Sequence, residues 1–272
     1  SVRSGQSWIS ERDSVVVNGR IEIPEPVSLM LNESPVDFNR ADGTWSSEVV
    51  VRPGLNTVRA QAWADDANLV DANSIDIVYL PPDNHLSGEL IEDTTLTGAW
   101  LLDDTLSVPK DVTLSITPGT WILMTEGSGL VIGGRLVAEG EEAAPIYFTH
   151  YGEGTTWKQI LFSESADSTL THCVFEYADS AGAHQDYYVP GPRNYHEAIV
   201  LLASHVTFKD CLFRHLPDDS GQGEGDAMAV IADDPDVPGP ASALVEGCQF
   251  LRIGQGLHTR YAYFLARDPS PE

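Results

Sequence analysis

Three strings in this chain repeat one pattern: Leu170-Thr-His-Cys173-Val-Phe175, Phe208-Lys-Asp-Cys211-Leu-Phe213 and Val245-Glu-Gly-Cys248-Gln-Phe250. Each reads apolar residue, two polar or small residues, Cys, any residue, Phe. The strings recur after 38 residues (173 to 211) and 37 residues (211 to 248). A repeat of this length predicts stacked units, each covering the next. Equivalent positions in stacked strands step by about 4.8 Å, so inward side chains form columns. The pattern therefore predicts a Cys column beside a Phe column in a narrow core, with Cys acting as a small hydrophobe. No Cys-x-x-Cys pair occurs, and three collinear thiols at that step do not make a tetrahedral metal site. A bare coil takes roughly 20–25 residues, so each of these coils carries an extra loop.

The rest of the chain supports an all-β reading. Val112, Leu114 and Ile116 alternate with Thr113, Ser115 and Thr117, the period of a strand with one buried face. Pro118-Gly119 turns the chain. Short apolar runs follow at Trp121-Ile-Leu-Met, Gly129-Leu-Val-Ile, Arg135-Leu-Val-Ala, Ala144-Pro-Ile-Tyr-Phe-Thr and Trp157-Lys-Gln-Ile-Leu-Phe, and no helical period interrupts them. Upstream, residues 1–13 read as a polar lead-in. Residues 14–80 read as short strands with Gly, Asn and Pro between them, the pattern of a small β-sandwich. Pro81-Pro82-Asp83-Asn84 is the expected boundary, and residues 81–272 form the second domain.

Two stretches resemble known families. "WSSEVVVRPGLNTVRAQAWADDANLVDANSIDIVYL" is similar to the bacterial immunoglobulin-like modules of secreted surface proteins. "DVTLSITPGT", "GLVIGGRLVAEG", "APIYFT" and "WKQILF", in that order, resemble the opening rungs of secreted right-handed parallel β-helix repeat proteins. The resemblance implies an immunoglobulin-like β-sandwich followed by a right-handed parallel β-helix, at an extracellular or cell-surface location of bacterial type. The opening at Ser1, with no methionine and no basic stretch leading into an apolar one, reads as a mature or excised piece. The end at Glu272, about one coil past Phe250, is expected to expose strand edges. Such an end fits a longer chain, docking on another surface-protein subunit, or end-to-end self-assembly into a filament.

Charge narrows the partners. Fifteen basic residues stand against 41 acidic ones, a net charge of −26. Such a surface repels phosphate backbones, so nucleic acid is not an expected partner. No apolar run approaches the roughly 18 residues of a membrane span. The acidity suits a solvated surface, adaptation to salt water, or Ca²⁺ binding.

Two long loops offer places for function. The loop 179–197 holds His184, Tyr187, Tyr188, Tyr195, His196 and Glu197, a set that suits either carbohydrate binding or a packed cover. The loop 217–241 crowds Asp218, Asp219, Glu224, Asp226, Asp233, Asp234 and Asp236, hard oxygen ligands that suit Ca²⁺, although no EF-hand spacing is present. His258 and Arg260 are a further ligand-binding pair. β-Helix sugar enzymes set two or three carboxylates on adjacent strands, but their usual strings (Asn-x-Asp, Gly-x-Asp-Asp, His-Gly, Arg-Ile-Lys) do not occur here. The Asp-Asp pairs at 65–66, 103–104, 218–219 and 233–234 are expected in turns. No catalytic residue is assigned. The expected function is a non-catalytic structural, adhesion or assembly module. The alternative is a carbohydrate-active β-helix (a polysaccharide lyase or glycoside hydrolase) or a carbohydrate-binding protein.

Overall fold

A computed structural model describes residues 7–22, 28–65, 68–152, 155–178, 197–216, 226–232, 237–251, 253, 258–260 and 265–267. The described residues are all-β, without a helix. The chain divides into two compact units, 1–83 and 84–272.

Among its described residues the first unit has seven strands: β1 (Ser7–Ser10), β2 (Ser14–Arg20), β3 (Ser28–Leu31), β4 (Ser34–Val36), β5 (Thr44–Val50), β6 (Gly54–Asp65) and β7 (Asn68–Tyr79). Five form a sheet in the order β1-β7-β6-β3-β4, and β2 pairs with β5 in a second, two-stranded sheet. Alternation dictates what each strand buries. Val15 and Val17 of β2 point inward and share a cluster with Leu31, Val58 and Ile77 of the larger sheet. Arg59 lies exposed on the other face of β6. Part of the polar stretch 1–13 is itself a strand, because β1 runs parallel to β7 with Trp8 opposite Ile77. Asn32 and Glu33 turn the β3–β4 hairpin with positive φ (45° and 67°), the conformation a two-residue hairpin loop requires at both positions.

In the second unit the chain winds repeatedly past three parallel faces. The strands β8 (His85–Glu89) and β9 (Thr94–Leu96) open it, then β10 (Ala99–Val108) and β11 (Thr113–Ile116). Each later turn has three strands. They are β12 (Trp121–Met124), β13 (Leu130–Ile132) and β14 (Arg135–Glu139); β15 (Ile146–His150), β16 (Ile160–Ser163) and β17 (Ser168–Thr171); and β18 (Cys173–Glu176), β19 (Glu197–Leu202) and β20 (His205–Lys209). The last two turns are β21 (Leu212–Arg214), β22 (Asp226–Ile231) and β23 (Ser242–Glu246), then β24 (Gln249–Leu251), β25 (His258–Arg260) and β26 (Leu265–Arg267).

Register defines the faces. The first half of β10 pairs with β12, and β15, β18, β21 and β24 follow it on face one. The second half of β10 pairs with β13, and β16, β19, β22 and β25 follow it on face two. Face three runs β9-β11-β14-β17-β20-β23-β26. All these pairings are parallel, and β10 joins faces one and two into a single curled sheet.

β10 carries Asp103 and Asp104, so this pair lies in a strand and not in the expected turn. The pairing of β10 with β8 shifts register between Leu102 and Leu106, and both carboxylates are exposed there. A bulge bends the strand past the corner, with the acids on its solvent side. The expected strand at Trp157 also begins later, at Ile160; Trp157 makes a single bridge to Ala178.

Left-handed residues turn the corners of the coil. Glu164 and Ala203 turn it from face two to face three, with φ of 50° and 44°. His172, Asp210 and Gly247 occupy one position between faces three and one, with φ of 46°, 52° and 66°. Tyr177 and His215 leave face one at φ 62° and 53°. Left-handed geometry costs a non-glycine residue roughly 1–2 kcal/mol, and stacking in register offsets that cost.

The core lies inside the three faces. Leu96, Ile116, Ala138, Leu170, Phe208 and Val245 form one inward column on face three. On face one Phe148, Phe175, Phe213 and Phe250 stack ring on ring, with centroids 5.0, 4.8 and 5.0 Å apart. Phe148, Phe175 and Phe213 are fully buried, and Phe250 is partly buried. Each such ring pair adds about 0.5–1.5 kcal/mol beyond its buried area. Beside this ladder, Cys173, Cys211 and Cys248 take matching positions on successive rungs, all as free thiols. The Cys and Phe columns are present as the repeat predicted.

Candidate functional site

The corner where face one meets face two is where the longest insertion leaves the coil, between β18 and β19. Ala99 pairs with Trp121, Trp121 with Tyr147, Tyr147 with Val174, Val174 with Leu212 and Leu212 with Gln249. The successive turns are therefore 22 residues (99 to 121), 26 (121 to 147), 27 (147 to 174), 38 (174 to 212) and 37 (212 to 249). In the 38-residue turn the added length falls between β18 and β19. In the 37-residue turn it is divided between the β21–β22 connection and the β22–β23 connection at the corner of faces two and three, so the expected loop 217–241 is interrupted by the buried strand β22.

Three polar side chains cross this corner from rung to rung. The Thr149 hydroxyl donates to Glu176 Oε1 at 2.9 Å, and Arg214 Nε donates to Glu176 Oε2 at 2.7 Å. The Glu176 side chain is 10% exposed and that of Arg214 36%. A buried carboxylate is costly unless it is paired and hydrogen-bonded, and here both oxygens are engaged. The Trp157 indole, fully buried, donates to the Glu176 carbonyl at 2.7 Å and ties the start of face two to the end of face one.

Next to this line, three rings pack against one another across the same rungs. His150 and Tyr177 lie 4.2 Å apart by ring centroid, and Tyr177 and His215 lie 5.7 Å apart. Tyr177 holds its proton above the usual tyrosine range, chiefly through burial and then through the neighbouring Glu176 carboxylate. The His150–Tyr177 pair is tilted by 40°, and the Tyr177–His215 pair is near parallel at 14°.

The structure brings together two residues that the sequence assigned to different sets. Glu197, the first residue of β19, is buried, and it pairs in register with Asp226, the first residue of β22. The two carboxylates therefore start adjacent parallel strands, roughly one strand spacing of 4.8 Å apart along the backbone. His258 and Arg260 bracket β25 on face two, opposite Ala229 and Ile231. His184, Tyr187, Tyr188, Tyr195 and His196 lie outside the described residues, as do Asp218, Asp219, Glu224, Asp233, Asp234 and Asp236. Among the described residues, no group of three or more His, Cys, Asp or Glu is arranged to hold a metal ion.

Glu176, Arg214, Thr149 and the His-Tyr-His group were not singled out in the sequence. The signal for two of them was present: Glu176 and Arg214 each stand three residues after a repeated Cys. Reading the repeat one residue beyond Phe pairs an acid with a base on adjacent rungs.

No family model matches the chain, and no curated protein or solved structure matches it.

Proposed function

We propose that residues 84–272 are a right-handed parallel β-helix, that residues 7–80 are an immunoglobulin-like β-sandwich, and that the chain is a non-catalytic structural or adhesion module of an extracellular surface protein. The three parallel faces, visited in fixed order turn after turn, support the β-helix. The right-handed sense follows from the steric preference of parallel crossovers, right-handed in about 98% of cases. In the first unit, the strand orders β1-β7-β6-β3-β4 and β2-β5 support the immunoglobulin-like reading, in which β7, β6, β3 and β4 would correspond to strands G, F, C and C′, and β2 and β5 to B and E.

One observation carries the functional reading. Six polar and aromatic residues at the loop-bearing corner contact the rungs above and below them: Thr149 and Arg214 hold Glu176, and Tyr177 lies between His150 and His215. Groups used this way stiffen a rod. The test is incubation with a panel of acidic and neutral polysaccharides, with and without Ca²⁺, following reducing ends and unsaturated-uronate absorbance. No turnover is expected, and surface labelling of intact cells is expected to find the chain outside. Turnover above the no-protein control, or absence from the surface, defeats the reading.

A second reading, a carbohydrate-active enzyme, has one observation in its favour. Glu197 and Asp226 are in register on neighbouring strands, and a backbone step of about 4.8 Å is near the roughly 5–5.5 Å between the carboxyl groups of retaining glycosidases. Polysaccharide turnover lost in both Glu197→Gln and Asp226→Asn would favour it.

A further inference from the structure

The cysteine column has a gradient along it. Cys173 and Cys211 are buried, whereas Cys248 is partly exposed. The single proton of the Cys173 thiol has two carbonyl acceptors in reach, Ala138 at 3.4 Å and Thr171 at 3.5 Å, and that of Cys211 has Leu170 and Lys209, both at 3.4 Å. Cys248 has one such contact, a longer one of 3.6 Å to Glu246. Its sulfur also accepts from the Cys211 backbone N–H at 3.4 Å, a contact between the two successive rungs.

Geometry separates the two possible pairs. Neighbouring parallel strands in register hold their Cα atoms about 4.8 Å apart, within the usual disulfide range of roughly 4.4–6.8 Å. The Cβ atoms must approach to about 3.8 Å, so one strand has to shift slightly. Cys173 and Cys211 are fixed within buried rungs, with His172 and Asp210 before them. Cys248 follows Gly247, which has φ of 66° and no side chain to restrict a small rotation.

We propose that Cys211 and Cys248 form a thiol–disulfide exchange site that takes a low-molecular-weight disulfide and closes a reversible covalent clasp between two successive turns of the coil. Cys248 Sγ, on the one partly exposed residue of the three, attacks the reagent's S–S bond, forms a mixed disulfide and releases one small thiol. Cys211 Sγ then attacks Cys248 Sγ, forms the intramolecular disulfide and releases the second small thiol. The two protein thiols are oxidised, the reagent is reduced to two thiols, and the two protons lost by the protein end on them. The step is slow, because buried thiols retain their protons. Cys173 takes no part.

The experiment uses the full chain and oxidised glutathione. Native protein is incubated with it, denatured, alkylated and mapped by peptide mass spectrometry. A Cys211–Cys248 crosslink with alkylated Cys173 is expected. Cys173→Ser retains the crosslink, and Cys248→Ala loses it without creating a Cys173–Cys211 bond. Circular dichroism of each variant before oxidation confirms that the fold is intact. Glutathione left on Cys248 without a crosslink, a Cys173–Cys211 crosslink, or three free thiols each overturn the proposal.

Discussion

Arg214 Nε donates to Glu176 Oε2 across 2.7 Å, although 38 residues separate them in the chain. The bond joins two successive turns of the coil where the longest insertion departs. It places a positive charge beside a carboxylate that, together with Thr149, has both oxygens engaged. Removing Arg214 leaves that carboxylate buried and half-satisfied. Arg214→Ala is expected to destabilise by about 2–4 kcal/mol, below the 3–5 of a fully buried pair because the guanidinium is partly exposed. Glu176→Gln, which leaves the partly solvated partner behind, is expected to cost less. Urea unfolding of the two singles and the double mutant isolates the coupling.

The phenylalanine ladder makes a positional prediction. Phe175→Ala and Phe213→Ala each remove a ring stacked on both sides and are expected to cost about 3–5 kcal/mol. Phe250→Ala removes a ring with one described stacking partner, partly buried, and is expected to cost less. Denaturant midpoints at a constant m-value check the order.

Tyr177 is expected to titrate late. Its phenol is held above the ordinary value of 10, by burial first and the Glu176 charge second. The raised folded value means that the unfolded state loses this proton at lower pH than the native state. The stabilisation is thus complete below about pH 10 and lost as pH climbs through the folded value. The difference in alkaline phenolate absorbance between the native chain and Tyr177→Phe gives the midpoint.

Thiol chemistry offers a further check. Hydrogen bonding to Cys173 raises the Cys211 pKa, and hydrogen bonding to Cys211 raises that of Cys248, with burial adding to both. Both thiols therefore stay protonated well beyond the usual cysteine range. At pH 8 a maleimide is expected to label Cys173 and Cys211 negligibly and Cys248 slowly, with all three reacting at once in denaturant. Fast native labelling of all three contradicts the buried column.

The repeat exposed more of this architecture than composition did. The Cys-x-Phe strings placed Cys173, Cys211 and Cys248, and with them the Phe ladder, because an inward column demands similar side chains at similar positions. The alternation around Leu114 and Ile116 showed a strand with one buried face. The bend in β10 was not legible, since Asp103-Asp104 has the composition of a turn and only the flanking rungs keep it extended. Nor was the pairing of Glu197 with Asp226. Their register depends on loops of unequal length, so linear spacing carries no sign of it.

β10 passes the corner between faces one and two without a break, whereas each later turn is cut there into two strands. One side of the coil thus begins as a sealed seam and continues as a row of sockets. Segments inserted in those sockets differ in length from turn to turn while the ladders beneath them stay in register, so that side of the coil can change without rebuilding the ladders.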